Sequence, residues 1–442
     1  MIRALKTISF VTTLMLVVVI NARAENWPNW RGPANNGSTD EKGLPDSFSK
    51  TENLRWEASL PGDGASTPIV WGDGVYLTSI DESADGVVAL KLDRNTGKIV
   101  WKKLFGKGVR QERSRSNYAS PSAVTNGKRV FFFSGSGDLA AFDLDGKQVW
   151  ARNIQKDYGT FAFGWTFSTS PVLWNDTLYL QVLQRDVAVD DKGFKDRKNE
   201  SYILAMEPET GKEKWRHIRP TPAQMESREA FSTPVPNEYK GRKELLVIGG
   251  DYLTGHDPDT GKELWRWGTW NPGSKEPFWR LVPSPVFGDG IVIACGPKTA
   301  QAYGIKAGGS GTLSDDAIAW VSKEKEVASD VPTPLFYEGR FYMLNGRKKV
   351  LNCIEPKSGK VLWSERLNAK VKLEASPTGA DGKIYIISHL GEVFVVRAGD
   401  KFELISESNM GEAQSTFIRT PIVAAQGSLF IRANDKLYCI GK

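Results

Sequence analysis

The sequence predicts an all-β chain folded as a single eight-bladed β-propeller of four-stranded blades. Two recurring phrases and one displaced strand carry that prediction. The first phrase is Gly-Lys-x-x-Trp, beginning at Gly97, Gly146, Gly211, Gly261 and Gly359 and ending at Trp101, Trp150, Trp215, Trp265 and Trp363. An acidic residue stands three or four positions before each Gly: Asp93, Asp143, Glu207, Asp257 and Glu355. The second phrase is Ser or Thr followed by Pro, with prolines 68, 121, 171, 234, 285, 334, 377 and 421. A period of roughly 40–50 residues marks a propeller or a solenoid, because one such unit cannot bury its apolar face alone.

The unit from Pro68 to Trp101 contains four short strand-like runs. They are Pro68-Ile-Val-Trp71, Val75-Tyr-Leu-Thr78, Val87-Val-Ala-Leu90 and Lys98-Ile-Val-Trp101. Turn chemistry separates them. Asp93-Arg-Asn-Thr-Gly97 suits a short hairpin with Gly at positive φ and Asp bonded to its own turn. A proline at the head of the first strand removes a ladder donor where this is tolerated. The outer-strand tryptophans are read as packing between blades, since a ligand needs one such ring and not one per repeat.

Eight Pro-headed strands give eight blades. Pro421 is followed by only three strands before the chain ends, while Asn53-Leu-Arg-Trp56-Glu57 forms an orphan outer strand ahead of the first blade. Pairing the two ends closes the ring and protects the strand edges. Blade five keeps Trp320 but has Asp316-Ala317 in place of Gly-Lys, and blade seven has Leu404-Ile405 where Trp belongs.

Residues 1–24 have the form of a secretory signal, with Arg3 and Lys6, an apolar run from Ile8 to Ile20, and Ala22-Arg-Ala24. The apolar run is short for a membrane span, so the mature chain is expected not to span one. Residues 25–52 hold Trp27 and Trp30 in a Gly/Pro/Asn-rich stretch, expected to lie on the ring as a strap. Residues 53–442 form the propeller. Loss of Arg3, Lys6 and Arg23 with the signal lowers the formal net charge from +6 to +3, too mild to indicate nucleic acid. Cys295, Cys353 and Cys439 fall in different blades and are expected as packing thiols.

No catalytic motif stands out. His217, His256 and His389 lie in different repeats, and Ser134-Gly-Ser-Gly137 precedes no helix. The acidic stretch from Asp186 to Asp196 is mixed with lysines and has no EF-hand spacing. The candidate ligand site is the funnel where the segments leading into the inner strands converge. Its residues are Arg113, Arg115, Asn117, Trp165, Arg228, Glu229, Trp279, Arg280, Glu374 and Arg419. Arg and aromatic side chains dominate binding hot spots, and Arg pairs with carboxylates. The expected ligand is an acidic peptide, a sugar acid or a partner loop. Several of these charges serve equally as salt bridges between blades.

The Asp-x-x-Thr-Gly-Lys-x-x-Trp phrase resembles the tryptophan-docking motif of the pyrroloquinoline-quinone-type (PQQ-like) propeller family. The resemblance covers roughly Asn53 to Lys442, and the opening Trp27-Pro-Asn-Trp-Arg-Gly-Pro resembles the leader of secreted planctomycete-type members. It implies two opposed functions. One is the non-catalytic envelope propeller that helps assemble outer-membrane β-barrels. The other is a quinoprotein dehydrogenase holding PQQ with Ca²⁺, commonly beside a disulfide of adjacent cysteines, which this chain lacks. The expectation is a monomeric secreted or periplasmic scaffold that binds an envelope protein or acidic ligand. No cofactor is expected. PQQ with Ca²⁺ is the alternative, and a carbohydrate-processing accessory role is the third.

Overall fold

The computed structural model describes residues 25–110, 116–190, 192–196, 198–268, 270–324, 326–411 and 417–442. Among the described residues eight sheets surround one axis, seven of four antiparallel strands and one of five whose last strand is parallel. The inner strands are short, from Val124–Thr125 in blade two to Val235–Tyr239 in blade four. Third strands such as Tyr202–Met206 and Val350–Ile354 are buried along their whole length. They lie between two neighbouring blades, which is why they carry apolar residues on both faces.

The ring closes as the sequence predicts. Leu54–Ser59 pairs antiparallel with Lys436–Ile440, placing Trp56 opposite Cys439 and Glu57 opposite Tyr438. The last blade therefore takes its outer strand from the start of the propeller.

The recurring phrase is a socket between blades. In five blades the turn Gly sits against the Trp ring of the preceding blade. A Cβ on Gly97, Gly146, Gly211, Gly261 or Gly359 would come within 2.4–2.8 Å of Trp56, Trp101, Trp150, Trp215 or Trp320. Each of these glycines also has positive φ, so two independent demands select Gly. The same tryptophans, with Trp363, donate their indole N–H to a backbone carbonyl of the next blade at 2.7–3.2 Å. The acidic residue ties the turn: Asp93 Oδ1 accepts from the Asn95 and Thr96 amides.

Blade five breaks the pattern and shows its logic. With no turn Gly to receive it, Trp265 donates instead to Glu244 of its own blade at 2.6 Å. The longer blade-five hairpin folds back and adds Gly311–Thr312 as a parallel fifth strand beside Trp265 and Arg266. Trp265 is thereby buried to 1% exposure.

A second ring of bonds runs close to the axis. The Thr67 amide donates to Ser122 Oγ, Ser122 to Ser170, Ser170 to Thr233, Thr233 to Ser284, Ser284 to Thr333 and Thr333 to Ser376, at 2.8–3.2 Å. Five of the six accepting hydroxyls, Ser122 excepted, belong to the Ser/Thr before a blade-heading proline. Blade two is a correction. Its inner strand starts at Val124, two residues after Ser122, as Ile69 follows Thr67. Ala123, not Pro121, therefore occupies the proline column.

The N-terminal segment crosses the face opposite the funnel. Trp27 exchanges backbone bonds with Val70 of blade one. Pro28 accepts from Thr125 of blade two. Arg31, 2% exposed, donates to the Pro334 and Pro377 carbonyls of blades six and seven. Glu41 accepts from the Gln426 and Gly427 amides of blade eight. Leu44 and Phe48 are fully buried against Tyr385 and its neighbours. Cys295, Cys353 and Cys439 are free and buried. His256 is also buried, Nε2 lying 2.9 Å from Thr254 Oγ1. No helix among the described residues is long and apolar enough to cross a membrane.

Candidate functional site: a floored funnel on the axis

The segments leading into the inner strands gather around an axial cavity of about 250 Å³. Ten of its twenty lining residues are Ser or Thr, among them Thr67, Ser122, Ser170, Thr233, Thr333 and Ser376 of the inner bond ring. Ala65, Phe231, Val282, Val331 and Pro421 supply apolar wall. Trp30, from the segment on the opposite face, lines this cavity and also a small void of about 10 Å³ bounded by Asn29, Arg31 and Pro171. Its indole is therefore the floor of the funnel.

Four of the sequence candidates meet here: Trp165, Arg280, Glu374 and Arg419. Trp165 is 46% exposed, and its indole N–H points to Glu226 Oε1 at 3.4 Å. Arg280 lies 3.9 Å from both Glu226 and Asp330, too long for hydrogen bonds. Arg419 Nε donates to Glu374 Oε2 at 3.2 Å, and His389 Nε2 lies 3.0 Å from the same oxygen. Burial pushes the Glu374 carboxyl up. The His389 bond and the charges of His389, Arg419 and Lys372 outweigh it and hold the group down at about 2.

The other described candidates have other places. Arg113 and Arg115 lie outside the described residues. Asn117 shapes its own loop, its Oδ1 accepting from the Ala119 amide at 3.0 Å. Glu229 is fully buried and paired with Arg185, and accepts from the Gly164 amide at 2.6 Å. Burial pushes its carboxyl up to about 7 against the pull of Arg185. It ties the blade-three loop to blade four. Arg228 ends a short helical turn, Met225–Arg228, and is not among the cavity-lining residues. Trp279 packs on the blade-four core, its amide donating to Ser227 Oγ at 2.7 Å.

Sequence reasoning missed the hydroxyl ring and the floor. The Ser/Thr-Pro phrase locates the first, but as a strand-head signal it does not reveal that its hydroxyl accepts a bond from the neighbouring blade. Trp30 sits outside the repeats, so no periodicity pointed to it.

The described lining of the cavity does not fit the Ca²⁺ that would accompany a quinone. Ca²⁺ takes six to eight oxygen ligands, carboxylates foremost. Glu374 is the one carboxylate among the described lining residues, and the contacts of Arg419 and His389 fall on its Oε2. Among the described residues no group of three His, Cys, Asp or Glu side chains is placed to hold a metal. The three cysteines belong to three separate core clusters.

BamB from Moraxella catarrhalis superimposes with a TM-score of 0.59 at 15% identity, over 88% of this chain and 99% of that one. A europium-containing methanol dehydrogenase gives 0.66 at 12% identity, over 93% and 90%. Quinohemoprotein alcohol dehydrogenase from Comamonas testosteroni gives 0.64 at 14%, over 95% and 81%. Likeness at such identities is likeness of fold. No curated protein sequence matches the chain. The profile of the family described as outer membrane protein assembly factor BamB matches residues 47–191 and 311–409, more than half of the sequence. The chain belongs to this family of PQQ-like repeat β-propellers.

Proposed function

We propose that this protein is a non-catalytic binding propeller of the cell envelope, and that the axial funnel receives a carboxylate-bearing ligand. The observation that carries this reading is Arg280. Its guanidinium lines the cavity, yet its ion-pair distances of 3.9 Å leave it short of hydrogen bonding to either acid. A ligand carboxylate can offer the bidentate geometry those neighbours do not. Arg419 supplies a second cation across the same space. The family description supports a scaffolding role in the envelope, as does the signal-like character of residues 1–24. A non-catalytic role is supported by the lining itself. Glu374, the one carboxyl of its described residues, is held ionised by neighbours, and a group with a pKa of about 2 is a weak base at neutral pH.

The test is calorimetric titration of small carboxylates into the purified protein and its Arg280→Gln and Arg419→Gln variants. Each substitution should weaken binding about tenfold or more, the scale of a charge-assisted hydrogen bond. Arg280→Gln should leave the melting temperature nearly unchanged. Unaltered binding in both variants would remove the funnel as the site. Stoichiometric retention of PQQ with Ca²⁺, together with alcohol-driven dye reduction, would replace this reading with a dehydrogenase.

A further inference from the structure

The funnel has three chemically distinct parts: an indole floor, a belt of hydroxyls and two guanidinium groups at its wall. The floor is rigid. Arg31 lies 5.8 Å from the Trp30 ring centroid and is itself bound to two inner-strand carbonyls. Trp27, buried three residues earlier, fixes the other side of the segment. Each belt hydroxyl from Ser122 to Ser376 that accepts a backbone N–H keeps its own proton to donate. The volume, about 250 Å³, lies just below the ~300–1,000 Å³ range of drug-sized pockets. One ring-sized unit fits such a space better than a length of peptide.

We propose that Trp30 is the stacking platform of this site and that the unit it selects is a carboxylated pyranose, a uronate. This rests on the reading of the funnel as a carboxylate site and names its ligand class. A pyranose presents an apolar C–H face, a rim of hydroxyls and, in a uronate, one carboxylate. Those three features match floor, belt and arginines in turn. The hydroxyl belt donates to ring hydroxyls, while Arg280 and Arg419 take the carboxylate. An acidic peptide has the carboxylates but no flat apolar face to cover an indole. The N-terminal segment thus serves two ends, closing the far mouth of the channel and flooring the site.

The experiment titrates D-galacturonate, D-glucuronate, neutral D-galactose and a hexaglutamate peptide into the protein and its Trp30→Leu and Trp30→Phe variants. The uronates should bind, and galactose should bind at least about tenfold more weakly. Trp30→Leu should weaken uronate binding about tenfold, and Trp30→Phe, which keeps a ring, should recover most of it. Melting curves show whether the leucine variant remains folded, and the phenylalanine variant separates a lost platform from a lost fold. Uronate binding unchanged in Trp30→Leu would overturn the platform. Peptide binding without uronate binding would overturn the ligand class while leaving the carboxylate funnel standing. No binding of any acid would remove both.

Discussion

Gly97→Ala tests the socket between blades and the ring closure together. Gly97 belongs to blade one, and the ring it touches, Trp56, lies on the strand that completes blade eight. A Cβ at Gly97 would stand 2.5 Å from Trp56 Cε3 and 2.8 Å from Cδ2, and φ there is +71°. The left-handed backbone costs about 1–2 kcal/mol for an L-residue. Driving a methyl into a packed ring adds about 1–3 kcal/mol. Gly427 provides the control, with φ +68° and nothing within 4 Å of its Cβ position. Gly427→Ala should therefore show the backbone cost alone. Urea unfolding of both variants should place Gly97→Ala lower by about 1–3 kcal/mol. Trp56→Leu should relieve part of that difference in a double-mutant cycle. Equal losses in the two glycine variants, or no coupling to Trp56, would refute the socket.

Three further outcomes are expected. A chain beginning at Gly62 lacks the closing strand, leaving Lys436–Ile440 as an open edge, and should aggregate or melt far earlier. A chain beginning at Asn53 keeps that ladder but loses buried Trp27, Leu44 and Phe48, so its melting should stay cooperative at a lower temperature; a non-cooperative transition would contradict closure. Glu374 is held at about 2 against an ordinary 4.5, so the fold binds its proton more weakly than the unfolded chain does. The stabilisation, about 3 kcal/mol, is full above about pH 4.5 and is lost as pH falls toward 2. Glu374→Gln should flatten the acid limb of a stability-versus-pH curve, and an unchanged limb would show the pairing is worth little. Burial pushes the Cys295 and Cys353 thiols up to about 12 and raises Cys439, so a thiol reagent should label none in the native protein and all three in denaturant.

The repeat was legible because its residues answer to backbone and contact geometry at once. Gly97, Gly211 and Gly359 need both positive φ and an absent Cβ, so their spacing to Trp is fixed. Closure was legible by default, since three strands after Pro421 and one before Pro68 complete a blade. What failed was register within that frame. Ser120-Pro121 imitates the strand-head phrase two residues too early, and the strand start at Val124 and the bond from Thr67 to Ser122 show the true column. The funnel was half legible. Arg280, Glu374 and Arg419 line it, whereas Glu229 and Trp279 come from the same kind of segment and turn inward to pack. Sequence position places a residue near the axis but does not set which way its side chain leaves the chain. Trp30 was invisible for another reason: it reaches the axis from the opposite face, outside the repeat altogether.

Binding of ligand in the axial funnel is open to direct observation. A crystal structure of the protein soaked in galacturonate addresses it most directly. Ligand density is expected within the funnel, with the carboxylate at hydrogen-bond distance of Arg280 or Arg419 and the ring over Trp30. Density elsewhere, or a vacant funnel at a ligand concentration that saturates binding in solution, would contradict it.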